Sequence, residues 1–300
     1  MQSHPHSQSS KRMTFLLRLG STLGLWIFVI ATVFSGNEFA FLAAVFILAM
    51  LGLREFFHIL AARNIPCFPG VGMSLGALYI LAVFFSQRHP DLALGSEIQT
   101  AGLVVCLGCL FFRQMMKESI DSRSLDAIAN TLFGFLYIPW LFSFLIKLIY
   151  LIPRDAEGHF VGQYYILFVV LVTKFSDMGA YVFGSLFGKH PFVPRISPKK
   201  TWEGVMGAMV TAFIGAYWLK ILMPDILFLI NFQMTTLLAF LLGSIAIFGD
   251  LSESIIKRSV QAKDSSDLVP GIGGTLDLID SILFTAPVMY FVMHGILLLQ

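Results

Sequence analysis

The chain has 300 residues, of which 57% are hydrophobic and 13% are charged, and its net charge is only +2. Soluble domains carry roughly 25% charged residues, so the composition excludes a disordered chain and an ordinary soluble enzyme. Three cysteines are too few for a disulfide scaffold. We therefore predict an all-α, polytopic membrane protein, a bundle of transmembrane helices.

Apolar runs long enough, or nearly long enough, to cross about 30 Å of hydrocarbon predict about nine transmembrane helices. The runs begin near residues 19, 39, 68, 98, 130, 162, 204, 226 and 279. The runs 39–53 and 98–112 are short. We expect them either to be extended by flanking residues such as Phe56 and Phe57 or not to cross fully.

The chain divides into three regions. Residues 1–12 form a polar tail that is predicted to be disordered, and residues 13–128 form apolar spans with plain charged connectors. Residues 129–300 contain the polar loops 188–203 and 249–278 and nearly every motif that could carry chemistry. No internal repeat is apparent, which disfavours the inverted-repeat pattern of secondary transporters.

Lysine and arginine are unevenly divided between the two sides of the membrane if the N-terminus is cytoplasmic. The inner segments then hold fifteen of the 20 Lys and Arg residues, the outer loops hold Arg88 and Arg154, and three lie within spans. Cytoplasmic connectors of membrane proteins carry an excess of these residues. The pattern predicts a cytoplasmic N-terminus and puts loops 188–203 and 249–278 on the cytoplasmic side.

The first chemical motif, TKFSDMGAY, lies within an apolar run. Lys174 and Asp177 are three residues apart, so they share a helical face and can neutralise one another. An ionisable residue at membrane depth costs roughly 2.5–3.5 kcal/mol on insertion scales and normally faces a cavity or a partner. The pair is either part of a site or a structural ion pair between helices.

The second motif is the connector FGKHPFVPRISPKKTWEG, which is basic and rich in proline. Its cations are Lys189, Arg195, Lys199 and Lys200. The prolines oppose helix, and four cations on one tight loop can neutralise a polyphosphate. Ser197 adds a hydroxyl, and a helix beginning near Trp202 can present N-terminal amides to an anion. The alternative is an anchor on anionic lipid headgroups.

The third motif, GDLSESIIKRSVQAKDSSDLVPGIGGTLDLIDS, combines acids with a glycine turn. Its acids at helical spacing are Asp250, Glu253, Asp277 and Asp280. Ser254 and Lys257 continue the helical stripe that begins at Asp250. The turn 270–274 can let backbone amides approach a phosphate. Carboxylates beside cations and a glycine turn predict a site for a nucleoside triphosphate with bound Mg²⁺.

The second and third motifs together resemble the phosphatidate cytidylyltransferase family, also called CDP-diacylglycerol synthases, over about the last 130 residues. The positions that carry the resemblance include Ser254, Lys257, Arg258, Lys263, Asp264, Gly273, Gly274, Asp277 and Asp280. The resemblance implies transfer of CMP from CTP to phosphatidic acid, giving CDP-diacylglycerol and pyrophosphate in phospholipid biosynthesis. It also implies an active site facing the cytoplasm at the inner membrane of a bacterium, a homodimer and no nucleic-acid partner.

Within this resemblance we expect the site residues to divide by role. The expected Mg²⁺ ligands are Asp250, Asp277, Asp280 and Asp177. The expected catalytic residues are Asp250, Asp277, Lys257 and Arg258. The expected substrate-binding residues are Arg195, Ser197, Lys199, Lys200, Ser254, Lys263, Gly273 and Gly274. Glu253 and Asp264 are expected to orient the basic residues.

Two positions depart from the family pattern. The family commonly has histidine where this chain has Ile272 and arginine where it has Leu278. We expect a variant that keeps the metal site, with altered or lost activity as the alternative. Three other activities stay open: a CTP-dependent polyprenol kinase, an ether-lipid CDP synthase, and an ion-coupled transporter that uses the buried charges as its pathway.

Overall fold

The protein is represented by a computed structural model, which describes residues 24, 26, 27, 29–89, 97–117, 123–154, 160–260 and 274–299. Residues 29–34 are helical and precede nine helices. These are α1 (Glu38–Ala61), α2 (Pro69–Arg88), α3 (Glu97–Met115), α4 (Ser124–Phe135), α5 (Leu141–Leu151), α6 (Gly162–Phe187), α7 (Trp202–Leu222), α8 (Phe232–Ser259) and α9 (Thr275–Leu298). The predicted tail 1–12, and the start of the first predicted run near residue 19, lie outside the described residues.

Eight spans in the described part of the chain, with α4 and α5 counted as one, are long and apolar enough to cross a membrane. They coincide with the last eight predicted runs, so the prediction of a polytopic helical membrane protein is confirmed. The two short runs belong to full-length helices. Helix α1 continues through Phe56 and Phe57, and α3 has 19 residues.

Helices α4 and α5 form one span that contains a π-helical turn at Leu136–Trp140. Pro139 lies in this turn and has no backbone N–H to donate. The wider turn accommodates the proline without ending the helix. Because α4 begins at Ser124, this span straddles the predicted boundary between residues 13–128 and 129–300, and that division stays a prediction.

The basic connector forms an antiparallel hairpin of β1 (Pro191–Val193) and β2 (Ser197–Thr201). Its register pairs Pro191 with Thr201 and Val193 with Ser197. Thr201 then caps α7, because its Oγ1 accepts a hydrogen bond from the backbone N–H of Gly204 at 3.2 Å. The hairpin therefore ends at the N-terminus of a membrane helix.

The beginning of the connector is tied to the same helix end. Glu203 accepts hydrogen bonds from the backbone N–H groups of Lys189 and His190, at 3.1 and 3.3 Å. The His190 Nδ1 lies 2.6 Å from the same carboxylate. Both ends of the connector are thus held against the first turn of α7.

A small residue lets helices α8 and α9 approach closely, as is common in membrane bundles. Gly249 of α8 packs on α9, where an added Cβ would lie 2.8 Å from the Cα of Ser281. Helix α9 also packs against α1, α5 and α6. This crossing brings the C-terminal turns of α8 beside the N-terminal turns of α9, and it positions the acids of both helices.

Candidate active site

Three carboxylates of α8 and α9 converge where the two helices cross. One oxygen each from Asp250, Glu253 and Asp280 lies within 4.8 Å of the others. Glu253 and Asp280 are each 4% exposed, and Asp250 is half-buried. Buried carboxylates repel one another unless a cation lies among them. We call these three residues the acidic cluster.

Three lysines reach the acids in and around this cluster. The Nζ of Lys200, on the hairpin, lies 2.6 Å from an oxygen of Asp250. Lys257 lies 2.9 Å from Glu253 and also pairs with Asp277. The third pair is Lys174 with Asp177, at 3.0 Å. Helices α6, α8 and α9 and the hairpin therefore all contribute charged side chains to one network.

Asp177 and Asp277 join the network through neighbouring groups. Asp177 accepts a hydrogen bond from the hydroxyl of Ser281 at 3.2 Å. Ser281 directly follows Asp280 in the chain. Asp277 accepts from the backbone N–H of Gly274 at 3.1 Å, so it caps α9 while it pairs with Lys257. The network contains five carboxylates and three ammonium groups.

The donor set of the acidic cluster fits Mg²⁺. Mg²⁺ prefers oxygen ligands and is commonly bound by one or two carboxylates plus waters and substrate phosphates. The cluster offers oxygen donors alone, and the network has two more carboxylates than lysines, which matches the charge of one divalent cation. Asp250, Glu253 and Asp280 are the residues that would hold it.

A polar cavity of about 460 Å³ lies beside the acidic cluster, between α6, α8 and the hairpin. Its polar lining includes Ser176, Asp177, Ser197, Lys199, Lys200 and Asp250. Gly204, in the first turn of α7, also lines it, so a helix N-terminus, serine hydroxyls and two lysines surround the same space. This combination suits phosphate groups.

The structure brings many of the predicted site residues together. Asp177, Ser197, Lys199, Lys200 and Asp250 line the polar cavity, Asp280 completes the acidic cluster, and Lys257 pairs with Asp277. Ser254 is half-buried on α8, while Arg195 and Arg258 are exposed and do not line this cavity. Gly274 is buried at the start of α9. Lys263 and Gly273 lie outside the described residues, as do Asp264 and Ile272.

Sequence reasoning missed two residues, Glu55 and Tyr137. Glu253, which was expected to orient the basic residues, lies 2.9 Å from Lys257 and also belongs to the acidic cluster. Glu55 of α1 is 1% exposed and accepts a hydrogen bond from the backbone N–H of Leu276 at 2.8 Å. The hydroxyl of Tyr137 is buried and has no hydrogen-bond partner among the described residues. A lone acid in the apolar stretch LREFFHIL was the available signal for Glu55.

The fold and the site define a polytopic membrane protein that holds acids and lysines around a phosphate-sized cavity. A family model described as the cytidylyltransferase family matches residues 16–296. The chain therefore belongs to the cytidylyltransferase family, which confirms the resemblance. It is a nucleotidyltransferase by family, and an ion-coupled transporter is not favoured.

Several curated relatives are similar over most of their length. The phosphatidate cytidylyltransferase of Haemophilus influenzae is 30% identical over 300 residues, which cover 91% of this chain and 96% of that protein. The enzyme of that name from Mycobacterium leprae is 30% identical over 285 residues, covering 77% and 88%. The one from Staphylococcus haemolyticus is 29% identical over 287 residues, covering 94% and 98%.

Proposed function

We propose that this protein is a phosphatidate cytidylyltransferase, which transfers CMP from CTP to phosphatidic acid and releases pyrophosphate. The observation that carries the proposal is the contact between Lys200 and Asp250, because it joins the lysine-lined polar cavity to the acidic cluster. The relatives named phosphatidate cytidylyltransferase support the choice of substrates.

The reaction requires alignment and charge neutralisation more than covalent help from the protein. An oxygen of the phosphatidate phosphate forms a bond to the α-phosphorus of CTP, and the bond from that phosphorus to the oxygen bridging to the β-phosphorus breaks. Pyrophosphate leaves with that bridging oxygen. We assign Lys199 and Lys200 to the CTP phosphates, since both line the polar cavity. They would stabilise the charge that develops on the leaving pyrophosphate.

We further propose that Asp250, Glu253 and Asp280 hold Mg²⁺, on the strength of their close oxygens. When bound, Mg²⁺ neutralises phosphate charge and orients the triphosphate. The earlier assignments of Asp177 and Asp277 as ligands stay predictions. Lys257 lies between Glu253 and Asp277, so it would keep both carboxylates in place.

The site is proposed to face the cytoplasm at the inner membrane, because the hairpin lies on the side that holds most of the lysine and arginine residues. CTP would then enter from the cytosol and the lipid from the bilayer. The homodimer stays a prediction.

The test uses the purified full-length protein with Mg²⁺, phosphatidic acid and CTP labelled at the α-phosphate. We expect label in the lipid and release of pyrophosphate, whereas a CTP-dependent kinase would release CDP and leave the lipid unlabelled. An ether-linked lipid phosphate and a polyprenol, offered in parallel, test the other two candidate acceptors, and kinase activity on the polyprenol would appear as labelled CDP. If the wild-type protein forms no labelled CDP-diacylglycerol from phosphatidic acid, the proposal is excluded.

Replacement of Asp250 tests the site itself. We expect Asp250→Asn to lower CMP transfer by more than about a hundredfold, because it removes a carboxylate from the acidic cluster. Asp126→Asn is the matched control, since Asp126 is an exposed acid in the first turn of α4. Full Mg²⁺-dependent turnover in Asp250→Asn would exclude the assignment of Asp250.

A further inference from the structure

A second cavity, of about 390 Å³, lies between the connector that joins α1 to α2 and the chain just after α3 and just before α4. Its described lining includes Asn64, Cys67 and Pro69, and the only charged residues in that lining are the cations Lys117 and Arg123. It shares no described lining residue with the polar cavity. We call it the basic cavity.

Three cations converge on this connector. The guanidinium of Arg113 and the ammonium of Lys117 lie 5.5 and 6.0 Å from the centroid of the Phe68 ring, which belongs to the connector. Arg123 donates a hydrogen bond to the backbone carbonyl of Asn64 in the same connector. Like charges that are held close together repel one another, so a bound anion would stabilise this arrangement.

The walls of the basic cavity are held in place by hydrogen bonds within the protein. The backbone N–H of Phe68 donates to the hydroxyl of Thr131 at 2.8 Å, and the side-chain amide of Asn130 donates to the carbonyl of Pro66 at 3.0 Å. Both bonds fix the connector to α4. A site whose walls are already ordered loses less entropy when a ligand binds.

The basic cavity lies on the same side of the bundle as the hairpin. If each span crosses the membrane, α1, α3 and α6 all end on that side, which is the side proposed to be cytoplasmic. Lysine and arginine residues next to the cytoplasmic membrane surface attract the anionic headgroups of that leaflet. Their side chains also form charge-assisted hydrogen bonds with phosphate.

We infer that the basic cavity binds an anionic phosphate group, carried by a lipid headgroup or by a soluble phosphate ester, and that Lys117 and Arg123 hold it. The volume of the cavity lies within the range of small-molecule sites, and its described lining contains no carboxylate that would repel the ligand. The inference does not depend on the proposed function, because none of the residues that line the basic cavity is assigned to CMP transfer.

Cys67 can report whether the basic cavity is occupied, because it lines the cavity and is half-buried. With Cys106 and Cys109 replaced by alanine, Cys67 is the one cysteine left in the chain to react with N-ethylmaleimide. The purified full-length protein is kept in a maltoside detergent, to which phosphatidylglycerol or glycerol 3-phosphate is added. We expect at least one of these two compounds to slow the reaction about tenfold at about ten times its Kd, since about a tenth of the sites are then open.

The two compounds distinguish the two sources of the phosphate group. Protection of Cys67 by phosphatidylglycerol alone identifies a lipid site, and protection by glycerol 3-phosphate identifies a site that is open to soluble esters. Diacylglycerol, which has no phosphate, and sodium chloride at matched ionic strength are the controls, and both should leave the rate unchanged. The inference is overturned if neither phosphate compound protects Cys67, or if the controls protect it equally.

Substitution of Lys117 tests the role of the cations. We expect Lys117→Gln to raise the Kd of the protecting compound by about tenfold, because a charge-assisted hydrogen bond to phosphate is lost. Lys117→Arg keeps the charge and should keep the original Kd. Lys189→Gln is the matched control, since Lys189 is exposed on the same side of the bundle and is absent from the described lining of both cavities. An unchanged Kd in a Lys117→Gln protein that retains its thermal stability would contradict the inference.

Discussion

Tyr137 has a buried hydroxyl whose position is not explained by any hydrogen bond within the described part of the protein. Tyr137 is 4% exposed, and its hydroxyl has no hydrogen-bond partner among the described residues. Its ring packs on Phe284, one turn beyond Asp280, with 6.0 Å between ring centroids. Phe284 in turn packs on Phe248, which is close to Asp250 in the chain. The tyrosine therefore packs on α9, and α8 packs on the same phenylalanine.

We expect Tyr137→Phe to lower turnover by about tenfold, because a buried hydroxyl without a protein partner is available to donate to a bound water. Thermal stability in detergent should stay level or rise, since no described protein hydrogen bond is lost. Tyr165→Phe is the control with the opposite outcome. The Tyr165 hydroxyl accepts a hydrogen bond from the N–H of Leu229 at 3.2 Å, so this variant should lose stability and keep turnover. Wild-type turnover in Tyr137→Phe would contradict the prediction.

For individual residues, the sequence predicts which residue types cluster but not which of them pair with one another. Helical spacing predicts the contact of Glu253 with Lys257, which the structure has at 2.9 Å. Helical spacing alone does not distinguish the role of Asp277 from that of Asp280. In the structure Asp277 pairs with Lys257, whereas Asp280 belongs to the acidic cluster. That difference depends on how α9 is rotated against α8, and spacing within one helix does not contain this rotation.

At the scale of the helices, α1 supplies a hydrogen-bond acceptor to the first turn of α9. The first N–H groups of a helix have no partner within it, and Glu55 of α1 supplies one for Leu276 at 2.8 Å. A carboxylate there also interacts favourably with the helix dipole. The next residue along α9 is Asp277, and Asp280 follows one turn later. An N-terminal helix thus holds the acids of the last helix in position.

We expect Glu55→Ala to lower turnover by at least about tenfold, since it leaves a buried N–H unsatisfied at the start of α9. Glu55→Gln keeps an oxygen acceptor and should retain most of the turnover. Glu38→Ala is the matched control at the opposite end of α1. Glu38 accepts from the Tyr150 hydroxyl at 2.7 Å, so its loss should lower stability and spare turnover. Equal turnover losses in Glu38→Ala and Glu55→Ala would show that Glu55 has no special link to the site.

The elements themselves are only partly predictable. Apolar length predicts the spans well, and the prolines of the connector exclude helix, but the two short strands have no alternating pattern long enough to predict them. The hydrogen bond from Leu276 to Glu55 joins residues 221 positions apart. No local pattern records such a contact, because it arises from the packing of the whole bundle.

For the whole molecule, composition and run length predict a helical membrane bundle, and positive charge predicts its orientation. If each of the eight spans crosses the membrane, the C-terminal ends of α1, α3, α6 and α8 lie on one side. The hairpin belongs to this side, as do the ends of α8 and α9 that carry the acidic cluster. Orientation therefore decides whether a cytosolic nucleotide can reach the site.

Single cysteines on the two sides of the bundle test this orientation. Pro194 is exposed at the tip of the hairpin, and Asp225 is exposed in the connector between α7 and α8. With Cys67, Cys106 and Cys109 replaced, we expect a membrane-impermeant maleimide to label Asp225→Cys in intact bacterial cells. Pro194→Cys should be labelled only after the cells are permeabilised, because positively charged connectors stay in the cytoplasm. The reverse pattern would place the polar cavity outside, away from cytosolic CTP. Labelling of both cysteines in intact cells would mean that α7, the span between them, does not cross the membrane.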